Sequence, residues 1–392
     1  MTTLLLVIIY LAYTGLGLPD SLLGSAWPIM HTQLGADLSY AGIISMIITG
    51  GTIVASLLSD LVTKKLGTGR STAIGLATTA AALFGFSLSG SFWMLILFAI
   101  PYGLGAGTLD AAMNNYVALH YKSRHMNWLH CFWGLGASIS PYIMGYCLTA
   151  GFGWQGGYRS VSLIQLAIAV VLISSFPLWK KLKGGIPEPS ERRAPMKFSK
   201  IISIRGVKLI LPAFFAYCAF ETTSILWASS YLNLHRGVAY ETAARYASFF
   251  PLGITVGRFL SGFVASKVGD RNMIRVSIGI ILAGIVMVIL PLNAQWVCLV
   301  GLIVIGFGCA PVFPSVIHAT PDNFGAENSQ AIIGLQMAGA YTGSTLMAPL
   351  FGLIADNISI GLYPAYILIL AIVLLVMTEL LNRTVDKAKQ PG

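Results

Sequence analysis

Residues 161–179, VSLIQLAIAVVLISSFPLW, run from end to end without a charged side chain. About 20 such residues in a helix cover the roughly 30 Å hydrocarbon core of a bilayer. The pattern recurs along all 392 residues. Twelve spans are read, at 4–30, 39–60, 72–89, 92–118, 127–149, 157–179, 208–233, 241–265, 273–290, 294–318, 328–354 and 359–382. Only 10% of the residues are Asp, Glu, Lys or Arg and 56% are hydrophobic, whereas soluble domains carry roughly 25% charge. The expected fold class is an all-α membrane protein. A soluble enzyme, a secreted disulfide scaffold and a disordered chain are excluded, because too little polar surface exists to face water.

The few charges are unevenly placed. The net charge is +10, which by itself would raise nucleic acid as a partner. The basic residues instead fall in alternate loops: Lys64, Lys65 and Arg70, then Lys122 and Arg124, then Lys267, Arg271 and Arg275, with Arg383, Lys387 and Lys389 in the tail. The longest gap, 180–208, is also basic, from Lys180 and Lys181 through Arg192 and Arg193 to Lys208. The opposite loops hold only Arg159, Arg236 and Arg245. Lys and Arg are retained on the cytoplasmic side, so both termini and the long middle loop are expected there, in a multi-pass protein of the cell membrane. The basic excess is a topology signal, and no nucleic-acid partner is expected. The first span is read as part of the mature chain, since no basic segment precedes it and Pro19-Asp20-Ser21 interrupts it.

Six spans, a polar linker and six further spans suggest an internal repeat: a bundle over 1–180, a cytoplasmic linker over 181–207 and a second bundle over 208–392. No Walker loop, nucleophile elbow or HExxH motif appears, so neither an enzyme nor a nucleotide-driven pump is expected. Cys131, Cys147, Cys218, Cys298 and Cys309 all fall inside spans and none forms a CxxC pair. They read as small apolar packers, and no metal site is expected.

Three acids lie well inside spans, away from their ends: Asp20, Asp110 and Glu221. A charge at the centre of a membrane helix costs about 2.5–3.5 kcal/mol on insertion scales, so each is a candidate for function. Asp20 follows Pro19, which removes an amide and can break the first span. Asp110 and Asn114 share a helix face, with Asn115 further round. A carboxylate beside amides suits sugar hydroxyls, because amides donate and accept while carboxylates accept. Substrate contacts are expected from Asn114, Asn115, His130, Trp133, Trp27 and Gln336, the tryptophans by stacking on a sugar ring. Proton or cation coupling is expected from Asp110, Asp20 and Glu221, Asp110 foremost.

Particular stretches carry a family resemblance. Ser59-Asp60 followed by Lys64-Lys65-Leu66-Gly67 and Arg70 resembles the acid–glycine–basic loop of the major facilitator superfamily, as does Gly257-Arg258, Gly262 and Lys267-Val268-Gly269-Asp270-Arg271. The resemblance implies that Asp60, Arg70, Arg258, Asp270 and Arg271 form a conformational latch on the cytoplasmic side. GLGLPDSLLGSAWP, GLGAGTLDAAMNNYVALHY with NWLHCFWGLGASISP, YCAFETTSILWASSYL, and APVFPSVIHATPDNFG with GLQMAGAYTGS are similar to the fucose permease family of proton-coupled sugar carriers, which includes sodium-coupled glucose carriers. This implies two six-helix bundles that expose a central site alternately, cation-coupled symport of a sugar or similar small polar solute, no cofactor beyond the coupling proton or sodium ion, and a monomer in the bilayer. A rival reading rests on Gly136-x-x-x-Ser140-Pro141-x-x-Met144-Gly145, which partly resembles a motif of proton-coupled drug exporters. A non-transporting membrane receptor is the third possibility.

Overall fold

A computed structural model describes residues 2–37, 40–182, 196–290 and 295–389. Residues 183–195 of the expected linker lie outside the described residues, and so does the break expected at 291–293. Every regular element among the described residues is helical. The first half contains α1 (Thr2–Gly17), α2 (Leu22–Gln33), α3 (Tyr40–Leu66), α4 (Thr68–Leu88), α5 (Phe92–His120), α6 (Ser123–Thr149), α7 (Gly153–Ser174) and the short α8 (Phe176–Leu182). The second contains the short α9 (Phe198–Ser203), then α10 (Val207–Leu234), α11 (Tyr240–Val268), α12 (Asp270–Ile289), α13 (Gln295–Cys309), α14 (Val312–His318), α15 (Thr320–Phe324), α16 (Ser329–Asn357), and, after a 3-10 turn at Ile360–Leu362, α17 (Tyr363–Lys389).

Eleven helical stretches among the described residues are long and apolar enough to cross a membrane. The remaining expected span, α6, has the length, at 27 residues. Its polar stripe of Asn127 and His130 keeps its hydropathy lower, and both side chains are buried.

Two compact units are formed. The first comprises Met1–Tyr116, Leu129–Met196 and Ala326–Gly334, and the second Val117–Trp128, Lys197–Gly325 and Leu335–Gly392. They differ from the consecutive halves of the sequence by two short exchanges, 117–128 and 326–334. In the first unit α4 packs along α7, and α1 contacts both. In the second, α13 packs against α11 and α12, and α10 against α17.

Each unit places apolar side chains outward and polar ones inward. Trp93, Leu234 and Ile358 are more than 70% exposed, whereas Asn114, Asn127, Gln165 and Gln336 are fully buried. In lipid, polar groups must find partners inside the protein, and apolar groups meet a solvent of their own kind.

Two features position the site in the first unit. The first is the approach of α1 to α6. A Cβ on Gly17 would lie 2.0 Å from the Trp133 carbonyl oxygen, and one on Gly136 would lie 2.2 Å from that of Thr14. Only hydrogen at these two positions lets the backbones touch. The second is the break at Pro19. Its ring nitrogen has no hydrogen for the Gly15 carbonyl one turn earlier. The Gln165 side-chain amide, reaching from α7, donates to that carbonyl at 2.7 Å instead. The chain turns through 18–21 and resumes as α2, leaving Asp20 on the turn.

Both features yield measurable outcomes. Gly136→Ala overpacks the α1–α6 contact, a class of change that costs about 1–3 kcal/mol, and thermal melting of the purified protein in detergent drops accordingly. Gly134→Ala on the same helix meets nothing within 4 Å and leaves the melt unchanged. Gln165→Leu strips the Gly15 carbonyl of its donor and lowers stability by about 1–3 kcal/mol, measured by the same melt.

Candidate functional site

The α1–α6 contact and the neighbouring α5 bring one cluster together in the first unit. The Tyr13 hydroxyl of α1 donates a short hydrogen bond to Asp110 Oδ1. Asn114 Nδ2, one turn along α5, donates to the same oxygen at 2.9 Å and lies 2.6 Å from the Tyr13 hydroxyl oxygen. His130 of α6 sets its Nε2 3.2 Å from Asn114 Oδ1. An amide oxygen only accepts, so Nε2 carries the hydrogen. The His130 ring also meets the edge of Tyr13, with centroids 5.4 Å apart. Asp110 is 5% exposed, His130 6% and Asn114 fully buried. The Tyr13 hydroxyl and the Asn114 amide thus both donate to one oxygen of the Asp110 carboxyl.

Asp20 stands apart from this cluster. Tyr102 of α5 donates its hydroxyl to Asp20 Oδ1 at 3.1 Å, and Trp133 Nε1 donates to Oδ2 at 2.8 Å. Asp20 itself is exposed, unlike Asp110. Three helices thus converge on an accessible acid at the break in the first span.

The other expected substrate residues occupy different places. Trp27 is 4% exposed and packs in the apolar core with Leu22, Met30 and Phe86; its ring lies 6.3 Å from that of His31. That burial corrects the expectation that it stacks on a solute. Asn115 points away from Asp110, is fully buried, and accepts from Ser329 Oγ at 2.5 Å. Gln336, in the second unit, is fully buried and accepts from Thr320 Oγ1 at 3.0 Å.

Glu221 has its own cluster in the second unit. The hydroxyl of Tyr217, one turn earlier on α10, contacts its Oε2, and lies 2.9 Å from the Cys309 carbonyl oxygen at the end of α13. Arg258 Nη2 of α11 lies 3.7 Å from Glu221 Oε1.

This placement revises the expected latch. Arg258 is not at the helix end with Asp270, because α11 continues to Val268, and ten residues of helix span about 15 Å. Asp270 instead accepts from Ser123 Oγ at 2.5 Å and contacts His318 Nδ1 at 2.6 Å. His318 Nε2 reaches the Tyr121 carbonyl at 2.7 Å. Arg271 pairs with Asp386 at 2.5 Å. In the first unit Asp60 pairs with Lys64 at 2.7 Å and accepts from the Met196 amide at 3.2 Å. Arg70 is exposed and makes no ion pair among the described residues. Asp60, Arg258, Asp270 and Arg271 are therefore held by separate partners.

Tyr13, Tyr102, Gln165 and Ser329 were not singled out in the sequence. Tyr13 had a signal, since it lies two helical turns before Asp20 in an otherwise apolar span. Gln165 had one too, as a lone amide in the uncharged run 161–179. Nothing local in the sequence marks Tyr102 or Ser329.

Known proteins share this organisation. The sequence pattern of the Major Facilitator Superfamily matches residues 9–336 and, in a second alignment, 214–391. FucP, a transporter of that superfamily solved in the outward conformation, superposes with a TM-score of 0.79 at 15% identity, covering 96% of this chain and 98% of that one; FucP of E. coli is a fucose:proton symporter. The cis,cis-muconate transport protein of Acinetobacter baylyi is 24% identical, over 82% of this chain and 80% of its own. The glucose/mannose transporter GlcP of Bacillus subtilis is 22% identical, over 74% and 73%. With its apolar helices, inward polar clusters and two matched stretches of sequence, the chain belongs to the Major Facilitator Superfamily and is a multi-pass secondary transporter.

Proposed function

We propose that the protein is a proton-coupled symporter of a neutral sugar or similar small polyol, working by alternating access. The observation that carries this reading is the Tyr13–Asp110–Asn114–His130 cluster, an acid held in the membrane by exchangeable donors. An unpaired carboxylate resists movement through a dry intermediate, because desolvating a charge is costly. Protonation of Asp110 removes the charge, and a bound polyol replaces the contacts the carboxyl gives up. Loaded or empty, the carrier can reorient; with Asp110 charged and its ligands disturbed, it is held back. Asp20, accessible and set by Tyr102 and Trp133, is an entry point for the proton.

FucP and GlcP are named for sugars, whereas the Acinetobacter relative is named for a dicarboxylate. Two acids, Asp20 and Asp110, lie among the polar groups of the first unit. They disfavour a dianion and suit hydroxyl donors. A drug exporter cavity would be broad and apolar, unlike this hydrogen-bonded cluster. The alternating charge of the loops supports cytoplasmic termini, and the protein is proposed to act as a monomer.

The test is purified protein in liposomes with an imposed pH gradient. A labelled sugar from a panel of hexoses accumulates. Asp110→Asn abolishes gradient-driven accumulation while sugar exchange persists. Intact pH-driven accumulation in that variant would remove Asp110 from coupling. Accumulation driven by sodium alone would retain symport and replace the ion.

A further inference from the structure

His318 has two ring nitrogens, and each faces an acceptor. Nε2 is 2.7 Å from the Tyr121 carbonyl oxygen, and Nδ1 is 2.6 Å from Asp270 Oδ2. A carbonyl only accepts, so Nε2 carries a hydrogen. A neutral imidazole has a single N–H, and that one is already used. The contact between Nδ1 and Oδ2 therefore needs a hydrogen of its own, since a bare ring nitrogen would otherwise be set against a carboxylate oxygen. Whether that hydrogen rests on nitrogen or on oxygen, the pair holds one proton more than a neutral imidazole and a carboxylate. Its 2.6 Å separation is as short as charge-assisted pairs become, at about 2.7–2.9 Å. Asp270 Oδ1 is engaged separately, by the Ser123 hydroxyl at 2.5 Å.

These residues come from three places in the chain. Tyr121 and Ser123 lie where α5 passes into α6, Asp270 is the first residue of α12, and His318 is the last of α14. Residues 117–128 group with the second unit, whereas the rest of α5 and α6 belongs to the first. Trp128 adds an apolar contact in the second unit, its ring against that of Phe263. The side chains of His318 and Asp270 are 15% and 12% exposed, so the pair is shielded yet meets water at one edge.

We propose that His318 and Asp270 form a proton-binding site separate from Asp20, Asp110 and Glu221, and that its proton fastens residues 117–128 to the ends of α12 and α14. When the proton passes to water, a neutral imidazole and a carboxylate remain. The ring can then donate to Tyr121 or to Asp270 but not to both, and one contact is lost. Docking takes up one proton, so it strengthens as pH falls and weakens as pH rises. The other titratable groups within electrostatic reach of the ring are Asp322 of α15 and His125 of α6. Arg271, beside Asp270, is paired with Asp386 of α17. His125 is pushed down to about 4 by burial and by the neighbouring Arg124 and Lys122, which leaves His318 as the histidine that holds the proton. The site does not depend on the symport reading. The segment it fastens joins the helices that carry Asp110, Asn114 and His130.

Hydrogen exchange of the purified protein in detergent, without solute or gradient, tests the proposal, read as protection relative to an unstructured peptide at each pH. In the wild-type protein, protection over residues 119–128 falls as pH is raised above the ordinary imidazole range near about 6.5, by up to about tenfold per pH unit, the slope of one linked proton. His318→Phe removes both ring nitrogens and gives low protection at every pH. His318→Arg stays charged and can donate to both acceptors, so protection stays high and flat. His125→Gln keeps the wild-type pH dependence. Unchanged protection in α4 and α7 reports that the variants fold, and His318→Arg serves where His318→Phe does not. Wild-type protection independent of pH, a fall that persists in His318→Arg, or one that vanishes in His125→Gln would overturn the proposal. The measurement needs no transport, so a protein that accumulates no sugar leaves this result standing, and a flat profile leaves sugar accumulation in liposomes to be judged separately.

Discussion

A carboxylate surrounded by hydrocarbon has no water to hold it, and everything around Asp110 follows from that constraint. The Tyr13 hydroxyl and the Asn114 amide supply the missing hydrogen bonds. Tyr13 reaches Asp110 from a helix whose backbone is in contact with that of α6. Gly17 and Gly136 make that contact possible, since a Cβ at either would fall within 2.2 Å of a facing carbonyl oxygen. The polar cluster thus depends on two residues with no side chain. The same economy appears at Pro19, where one lost amide both breaks the helix that bears Asp20 and recruits Gln165 from α7.

Broken helices adjoin two of the three acids. Asp20 lies on the turn between α1 and α2, and Tyr217 caps the carbonyl at which α13 ends. Non-helical backbone at membrane depth is tolerated only where side chains, a cavity or the protein interior satisfy it. Transporters place their ligand and ion sites at such interruptions. Here the two interruptions sit in different chemical settings. The first unit sets hydroxyl, amide and indole donors on its acids, while the second sets a tyrosine hydroxyl and an arginine beside its own.

The helices and the inward acids were legible in the sequence because each leaves a local mark. An apolar run of about 20 residues has few alternatives to a membrane helix, and an acid within one stands out. The Asp110–Asn114 pair followed from helical periodicity alone. Partners from distant helices left no such mark. Trp27 read as a ring to stack on a sugar, but the fold turns it into the apolar core with Met30 and Phe86. Arg258 read as part of a loop motif through its neighbours in sequence, whereas α11 carries it away from Asp270 and beside Glu221. Asn115 was separated from Asn114 by only one residue step, yet that rotation of about 100° sends it to Ser329. Side-chain type was readable, but the facing partner depends on how the helices pack.

The central claim, that an acid within the membrane links solute movement to proton movement, is tested most directly by the pH of a lightly buffered medium around proteoliposomes. With no imposed gradient, adding a transported sugar outside carries protons inward with it, so the medium turns alkaline in proportion to the sugar taken up. A proton carrier abolishes the signal while sugar entry continues. Sugar entry with no change in external pH, under conditions where sodium is absent, would contradict proton coupling.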